Sequence, residues 1–114
     1  MRYVLLFVET EEFEHHLASL APDARERAFG LVGKWFMDHA DKIRGAGKLQ
    51  GAHTATTTRR SADGELVVVD GPFVEGKEIV SGYAEVDVAD LDEALKMVRA
   101  WPGCPVVEIR PLES

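Results

Sequence analysis

The first strand-like run of the chain, RYVLLFVE at residues 2–9, restricts the fold more than any other feature. Apolar side chains occupy both of its alternating faces, a pattern typical of a strand that is covered on both sides. Two helical segments follow in the sequence, and helices on a small sheet of this kind can cover only one face. The other face must therefore pack against something other than these helices.

The longer helix is predicted over residues 22–45. Pro22 suits a helix start, and Gly45-Ala46-Gly47 suits a stop. Between them, apolar residues recur at spacings of three and four and form one stripe. The stripe consists of Ala28, Leu31, Val32, Trp35, Phe36, His39 and Ile43. His39 on such a stripe is more often a packed histidine bonded to a neighbour than a base or a ligand.

The segment before that helix, residues 10–21, is acidic and is predicted to be a solvated connection. It contains the adjacent histidines His15 and His16. Neighbouring side chains point to opposite faces of a strand and lie about 100° apart on a helix, so these two are poorly placed to share one metal ion.

Short strands account for much of the remaining chain. Residues 48–60 are predicted to form two short strands or one bulged strand, because threonines favour strands and glycines interrupt them. Asp63-Gly64 in the turn at residues 61–64 is a strong hairpin signal, and residues 65–70 form the returning strand. Residues 79–88 then alternate between an apolar and a polar face. The apolar face consists of Val80, Ala84, Val86 and Val88, and the polar face consists of Ser81, Tyr83, Glu85 and Asp87.

The second helix has a clear start, because Glu93 follows Asp90 by three residues in a pattern like a capping box. Its predicted buried face consists of Leu91, Ala94, Leu95 and Val98. Trp101 ends this helix, and Pro102-Gly103 prevents its continuation. Residues 106–110 form the final strand.

In order, these elements predict an α+β fold in a single domain over residues 1–114. The unit is ferredoxin-like, βαββαβ, with a hairpin inserted before its fourth principal strand. One core is sufficient for a chain of 114 residues. Because one sheet face lacks a cover, we expect a homodimer in which a second copy packs sheet to sheet.

Composition and charge exclude several classes of partner. The formal net charge is −7 and the basic residues are scattered, so the basic patch of a nucleic-acid binder is missing and no nucleic acid is expected. The longest apolar run, residues 4–8, is too short to span a bilayer and no signal-peptide pattern precedes it. A cytoplasmic protein without membrane association is therefore expected. Cys104, the single cysteine, is interpreted as a small residue that closes a turn, since a reactive thiol needs a neighbouring base or helix N-terminus.

The stretch DGPFVEGKE at residues 70–78 separates two strand-like runs and belongs to a wider set of motifs. The others are Thr56-Thr57-Thr58-Arg59, Asp63-Gly64, Gly82-Tyr83, Asp90-Leu91-Asp92-Glu93-Ala94 and Val107-Glu108-Ile109-Arg110-Pro111. With this combination the chain resembles the YCII-related family, in particular its DGPF-domain branch, over nearly its whole length. The resemblance implies a dimeric α+β barrel. Gly76 and Ser81 depart from the usual pattern of that branch.

The DGPF motif has a structural and a functional interpretation, and we favour the structural one. Pro72 restricts Gly71 and fixes its own φ, so the chain bends rigidly and directs Phe73 into a core. In the functional interpretation, polar groups at the strand ends of the dimer line a small-molecule cleft. The ligand-binding residues would be Arg59, Phe73, Lys77 and Glu85, and the catalytic residues Asp70, His53 and Tyr83.

His53 is the candidate general base of that cleft if the fold brings it beside Asp70 or Glu85, because a carboxylate orients an imidazole and stabilises its charged form. The alternative is a solvent-facing histidine at a strand edge. The sequence contains no phosphate loop, nucleotide fingerprint, metal-ligand spacing or nucleophile elbow, so neither a cofactor nor a metal ion is expected.

Three functions remain open. The first is a small-molecule-binding dimer with cofactor-independent acid–base catalysis near the DGPF motif. The second is a non-catalytic regulatory or interaction module, which the family resemblance associates with sigma-factor-type signalling. The third is purely structural, with a barrel lumen filled by Tyr3, Phe7 and Tyr83.

Overall fold

The structure is a computed structural model that describes residues 1–74 and 76–113. Within these residues the chain forms six strands, three α-helices and one 3₁₀ turn. In chain order they are β1 (Arg2–Thr10), α1 (Glu11–Ser19), α2 (Pro22–Asp38), β2 (Ile43–Lys48), the 3₁₀ turn (Ala52–Thr54), β3 (Thr56–Arg60), β4 (Leu66–Asp70), β5 (Glu78–Asp87), α3 (Leu91–Arg99) and β6 (Val106–Pro111).

The strands form one four-stranded antiparallel sheet in the order β2-β5-β1-β6 and a separate hairpin of β3 and β4. This is the strand order of a ferredoxin-like unit, so the predicted α+β fold is confirmed. The hairpin, however, lies between the second and third principal strands, β2 and β5, and the predicted insertion before the fourth strand is wrong. The reason is that β5 pairs with both β1 and β2, which makes it the third strand of the unit.

The core lies between the four-stranded sheet and the helices. Tyr3, Leu5 and Phe7 of β1 face the helices and are buried, and Leu5 is fully inaccessible. The other buried apolar residues are Trp35, Ala84, Val86, Val88, Ala94, Met97 and Cys104. The predicted helix stripes are only partly correct, because Leu31 of α2 is 55% exposed and Leu91 of α3 is 48% exposed. Each helix contacts the sheet along a strip narrower than its whole apolar stripe.

Helix α1 occupies the segment that the sequence predicted to be a solvated connection, so that prediction is wrong. The Thr10 hydroxyl accepts a hydrogen bond from the Phe13 amide at 3.1 Å and caps the helix. Acidic side chains in the first turn complement the helix dipole. Phe13, Leu17 and Leu20 are half-buried along one side, which gives the short helix its packing face.

Helix α2 ends at Asp38, and the predicted continuation to residue 45 is wrong. Gly45-Ala46-Gly47 lies inside β2, where the backbone pairs with β5. A side chain at Gly47 would stand 3.0 Å from Cε1 of Tyr83, so glycine permits this tyrosine to pack across β2. His39 caps the helix, with Nδ1 2.8 Å from the Trp35 carbonyl oxygen, as expected for a packed histidine.

A bulge in β5 changes the face of the sheet on which one of its valines lies. Phe7 pairs with Gly82 and Val8 with Val80, so Ser81 is an extra residue in the ladder. Its hydroxyl donates to the Phe7 carbonyl at 3.3 Å. The bulge moves Val80 to the face of the sheet away from the helices, where it is 42% exposed, and its predicted place beside Ala84 is wrong.

The predicted start of the helix after Asp90, which is α3, is confirmed. The Asp90 carboxylate accepts from the Glu93 amide at 3.0 Å, and the Glu93 carboxylate accepts from the Ala89 amide at 2.8 Å. The hydrogen bond from Ala89, followed by contact with Lys42, holds the pKa of the Glu93 carboxyl below its ordinary value. The sequence therefore located this helix start from its capping residues alone.

The hairpin turn is also where the sequence predicted it. Gly64 has a φ of +89°, and the Ser61 amide donates to the Glu65 carbonyl at 2.8 Å, so the Asp-Gly pair supplies the left-handed backbone that the turn needs. Beyond the turn, the apolar side chains of β4 are about half exposed on both faces of the hairpin: Leu66 50%, Val67 47%, Val68 60% and Val69 51%.

Apolar side chains also remain on the sheet face opposite the helices, which we call the outer face. Val4, Leu6 and Val8 of β1 are half-buried there. Val80 and Tyr83 of β5 are each 42% exposed.

None of the helices in residues 1–74 and 76–113 combines the length and apolar character needed to cross a membrane.

Candidate functional site

A cavity of about 430 Å³ lies on the helix side of the sheet, between α1, α2 and the ends of β1 and β2. Its size falls within the range of small-molecule pockets. The apolar lining side chains include Phe7, Phe13, Leu17, Leu20, Ala28, Phe29, Val32, Phe36 and Trp101. The polar side chains that reach it are Glu9, His16, Lys48 and Ser81.

One wall of the cavity is a set of aromatic rings that contact each other. The rings of Phe7 and Trp101 stack with centroids 4.3 Å apart, and Phe36 lies 6.2 Å from Phe7 and 6.0 Å from Trp101. Behind them, Trp35 is buried and donates from Nε1 to the Met97 carbonyl at 2.8 Å. Trp101 donates from Nε1 to the Cys104 carbonyl at 3.1 Å. These contacts hold the wall in place and leave its rings apolar on the cavity side.

An ion pair occupies the sheet end of the cavity. Lys48 Nζ lies 3.0 Å from Glu9 Oε1. The Glu9 side chain is 19% exposed and the Lys48 side chain 72% exposed, so the carboxylate is the more enclosed partner. Alternation along β1 places Glu9 on the same side of the sheet as Phe7, which is why a charged residue at the end of an apolar strand reaches an aromatic cavity.

Cys104 lines the cavity with a buried thiol. Burial raises the pKa of this thiol, although a hydrogen bond with Trp101 acts in the opposite direction. Its Sγ lies 3.7 Å from the Val106 carbonyl oxygen. A buried thiol with a raised pKa is a weak nucleophile, in agreement with the structural role predicted for this residue.

Two of the predicted catalytic residues lie near the base of the β3–β4 hairpin. His53 is in the 3₁₀ turn that leads into β3, and Asp70 is the last residue of β4. The Gly71 amide donates to the Ala55 carbonyl at 2.8 Å, which joins these two segments. Within the described part of the chain, however, no hydrogen bond links His53 to Asp70 or to Glu85. Their catalytic role stays a prediction.

The DGPF motif bends as predicted but does not insert Phe73 into the core. Gly71 adopts a φ of +114°, a conformation that favours glycine. Phe73 is 69% exposed, and the Arg59 guanidinium lies 4.9 Å above its ring. The prediction that Phe73 is buried is therefore wrong, because the segment projects from the hairpin base rather than crossing the sheet. Glu75 of the motif lies outside the described residues.

The remaining predicted site residues are divided between two places. The Lys77 carbonyl accepts from the Glu11 amide at 3.0 Å, which ties the end of the motif to the start of α1. Tyr83 and Glu85 stand on the outer face of β5, and Glu85 pairs with Arg2 at 3.1 Å. In one copy of the chain, then, the predicted residues are distributed over the hairpin, the segments that flank it and the outer face, whereas the cavity lies on the helix side of the sheet.

The helix-side cavity was not predicted from the sequence. One available signal was the spacing of Phe13, Leu17 and Leu20 after Thr10, which is a short helical stripe behind an N-cap residue. The approach of Glu9 to Lys48 had no such signal, because these residues are 39 positions apart. Among residues 1–74 and 76–113, no group of three or more His, Cys, Asp or Glu side chains is arranged to hold a metal ion.

Comparison with known proteins shows three similarities. The model of the YCII-related domain matches residues 1–112. The uncharacterized protein R00369 of Rhizobium meliloti (strain 1021) is 46% identical over 63 residues, which are 52% of this chain and 51% of that relative. The chain thus matches about half the length of this curated relative.

The third similarity is to a solved structure. It is the 5-chloro-2-hydroxyhydroquinone dehydrochlorinase TftG from Burkholderia phenoliruptrix AC1100 in complex with 2,5-dihydroxybenzoquinone. The TM-score is 0.55 at 12% identity, and the alignment covers 99% of this chain and 94% of TftG. A likeness at this identity shows that the two chains share a fold.

Proposed function

The chain belongs to the YCII-related family, and on this premise we propose that it binds a small aromatic molecule in the cavity between α1, α2 and the sheet. The observation that supports this proposal is the aromatic wall of Phe7, Phe36 and Trp101 around a volume of about 430 Å³. An apolar cavity of about 150 Å³ already accommodates benzene. A substituted ring would therefore fit.

The chemistry of the cavity agrees with this type of ligand. Aromatic pairs prefer stacked or edge-to-face contacts, and the wall offers both faces and edges of rings. The structural neighbour TftG is named for its action on a chlorinated hydroxyhydroquinone, and we extend only the binding of a ring compound to this chain. Acid–base catalysis and ligand-dependent regulation both begin with such a binding step.

Filling the cavity should weaken this binding. Ala28 of α2 lines the cavity, and Ala28→Phe would place a ring in the space that the ligand needs. With anisole as the probe, we expect the substitution to raise the dissociation constant at least about tenfold, which corresponds to about 1.4 kcal/mol. The measurement is a titration of the ¹⁵N-labelled chain followed by NMR, in which the amides of Ser81, Gly82 and Gly103 should shift.

Ala18→Phe is the matched control, since Ala18 is exposed on α1 and does not line the cavity. This variant should bind anisole as the unmodified chain does. Shifts confined to His53, Asp70 and Tyr83 would place the ligand at the cleft predicted near the DGPF motif instead. An absence of saturable shifts anywhere would contradict the proposed binding function.

We also propose that two copies of the chain associate through their outer faces, with the hairpin valines adding to the contact. The support is the apolar surface that one copy leaves half-buried or exposed at Val4, Leu6, Val80 and Tyr83. Surfaces of this kind are typical of contacts between proteins. A two-stranded hairpin is also marginally stable alone, so a partner surface would stabilise β3 and β4.

Sedimentation equilibrium tests the association directly. We expect the mass of two chains for the unmodified protein and the mass of one chain for Val80→Lys, because an unpaired ammonium is costly to bury in an interface. Leu31→Lys places the same charge on an exposed position of α2 and should leave the dimer intact. An unmodified protein that sediments as a single chain, or a Val80→Lys dimer of unchanged affinity, would argue against this arrangement.

A further inference from the structure

Glu9 and Lys48 form a polar couple at the sheet end of the cavity, where a bound ring would end. Their charged atoms, Glu9 Oε1 and Lys48 Nζ, lie 3.0 Å apart. Glu9 is the penultimate residue of β1, and Lys48 is the last residue of β2. Both side chains line the cavity. The sheet therefore positions a carboxylate and an ammonium side by side at one end of a mostly apolar cavity, whose other polar side chains are His16 and Ser81.

This couple has hydrogen-bonding capacity that the protein does not use. A carboxylate accepts through two oxygens, and an ammonium group donates through three N–H bonds. Within the described residues, Glu9 Oε2 has no hydrogen-bond partner and Lys48 Nζ has one, which is Glu9 Oε1. One acceptor oxygen and two N–H donors are thus free to meet a ligand at neighbouring positions.

We infer that the cavity selects aromatic ligands with two oxygen substituents on adjacent ring carbons, at least one of which is a hydroxyl. The hydroxyl donates to Glu9, and the neighbouring oxygen accepts from Lys48. Hydrogen bonds to charged groups are stronger than those between neutral groups, so the couple would distinguish such a ring from an apolar one. The inference rests on the proposed function, since the ring has to occupy the cavity before its oxygens reach the couple.

Two other ligand classes fit the couple less well. A polyanion such as a phosphate ester gains little, because the charges of Glu9 and Lys48 offset each other and the chain has a formal net charge of −7. An unsubstituted ring would desolvate the Glu9 carboxylate without replacing its hydrogen bonds to water, which is unfavourable. A ring with one hydroxyl and one adjacent oxygen satisfies both members of the couple.

Three probes test the inference by NMR titration under anaerobic conditions: catechol, its isomer resorcinol, and anisole. Catechol and resorcinol contain the same atoms and differ only in the spacing of their hydroxyls. We expect catechol to bind about tenfold more tightly than resorcinol, and Glu9→Gln or Lys48→Met to remove most of that preference, as expected for the loss of one charge-assisted hydrogen bond. Anisole has no hydroxyl to donate to Glu9, and it should still bind in the cavity of both variants.

Glu14→Gln is the matched control for charge, because Glu14 is exposed on α1 and does not line the cavity; it should retain the preference for catechol. If anisole binds but catechol and resorcinol bind equally, or if the preference survives both variants, the inference is overturned and the proposed function stands. If none of the three probes shifts the cavity amides, the proposed function itself fails. These two failures are distinguished by the result with anisole.

Discussion

Leu5→Ala should destabilise the protein by about 2–5 kcal/mol, the range measured for leucine truncation in well-packed cores. Leu5 is fully inaccessible and lies at the centre of β1, with Ala84 of β5 and Ile109 of β6 as its cross-strand partners. Truncation removes buried apolar contacts and leaves a cavity that the sheet cannot close. Because small domains are stable by about 5–15 kcal/mol, this loss is a large fraction of the total. Urea unfolding at a fixed protein concentration measures it.

Leu31→Ala is the matched control for this substitution. Leu31 is 55% exposed on α2, and we expect its free energy of unfolding to change by no more than about 0.5 kcal/mol. The slope of the unfolding free energy against urea should be unchanged in both variants. Equal losses at Leu5 and Leu31 would mean that β1 is not the centre of the core.

Gly103→Ala should destabilise the protein by about 1–3 kcal/mol, the usual effect of overpacking. A Cβ atom at Gly103 would stand 2.4 Å from Cζ2 and 2.7 Å from Cε2 of Trp101, so the indole ring has to move. That ring stacks on Phe7 and contacts Trp35 at a centroid distance of 4.9 Å. We therefore expect a weaker near-ultraviolet circular dichroism signal together with the lower unfolding free energy.

A double-mutant cycle identifies the cause of that loss. In a Trp101→Leu background the steric overlap is absent, so Gly103→Ala should have almost no further effect on the unfolding free energy. Gly33→Ala serves as the control for the substitution itself, because a Cβ there meets no atom within 4 Å and alanine favours the helix. A Gly103→Ala effect of the same size in both backgrounds would rule out the contact with Trp101 as its origin.

Local sequence patterns predicted the elements whose conformation depends on nearby residues. The strand at β1, the Asp63-Gly64 turn and the helix start at Asp90 were each predicted from residues a few positions apart. In these cases the hydrogen bonds or the face alternation form within one element or one turn. The prediction was wrong at residues 43–47, where glycines that resemble a helix stop are paired into the sheet by β5.

The candidate site depended on contacts between distant segments, and for this reason it was not predicted. Ala28 and Phe36 were assigned to a buried stripe, although the structure shows them around a cavity. Their partners in that cavity come from β1, α1, β2, β5 and the turn after α3. A pattern of apolar residues shows that a helix face avoids water, but it does not show whether the opposing residues fill the space.

The sequence by itself therefore determined the α+β class, most of the strands, the hairpin turn and the family. These properties depend on periodicity, capping and turn residues, which act over a few positions. Only the tertiary structure decided that Phe73 is exposed, that Val80 faces away from the helices, and that Glu9 meets Lys48 beside a ring-lined cavity. Each of these depends on strand register or on packing between segments far apart in the chain, and local residue preferences contain no information about such distances.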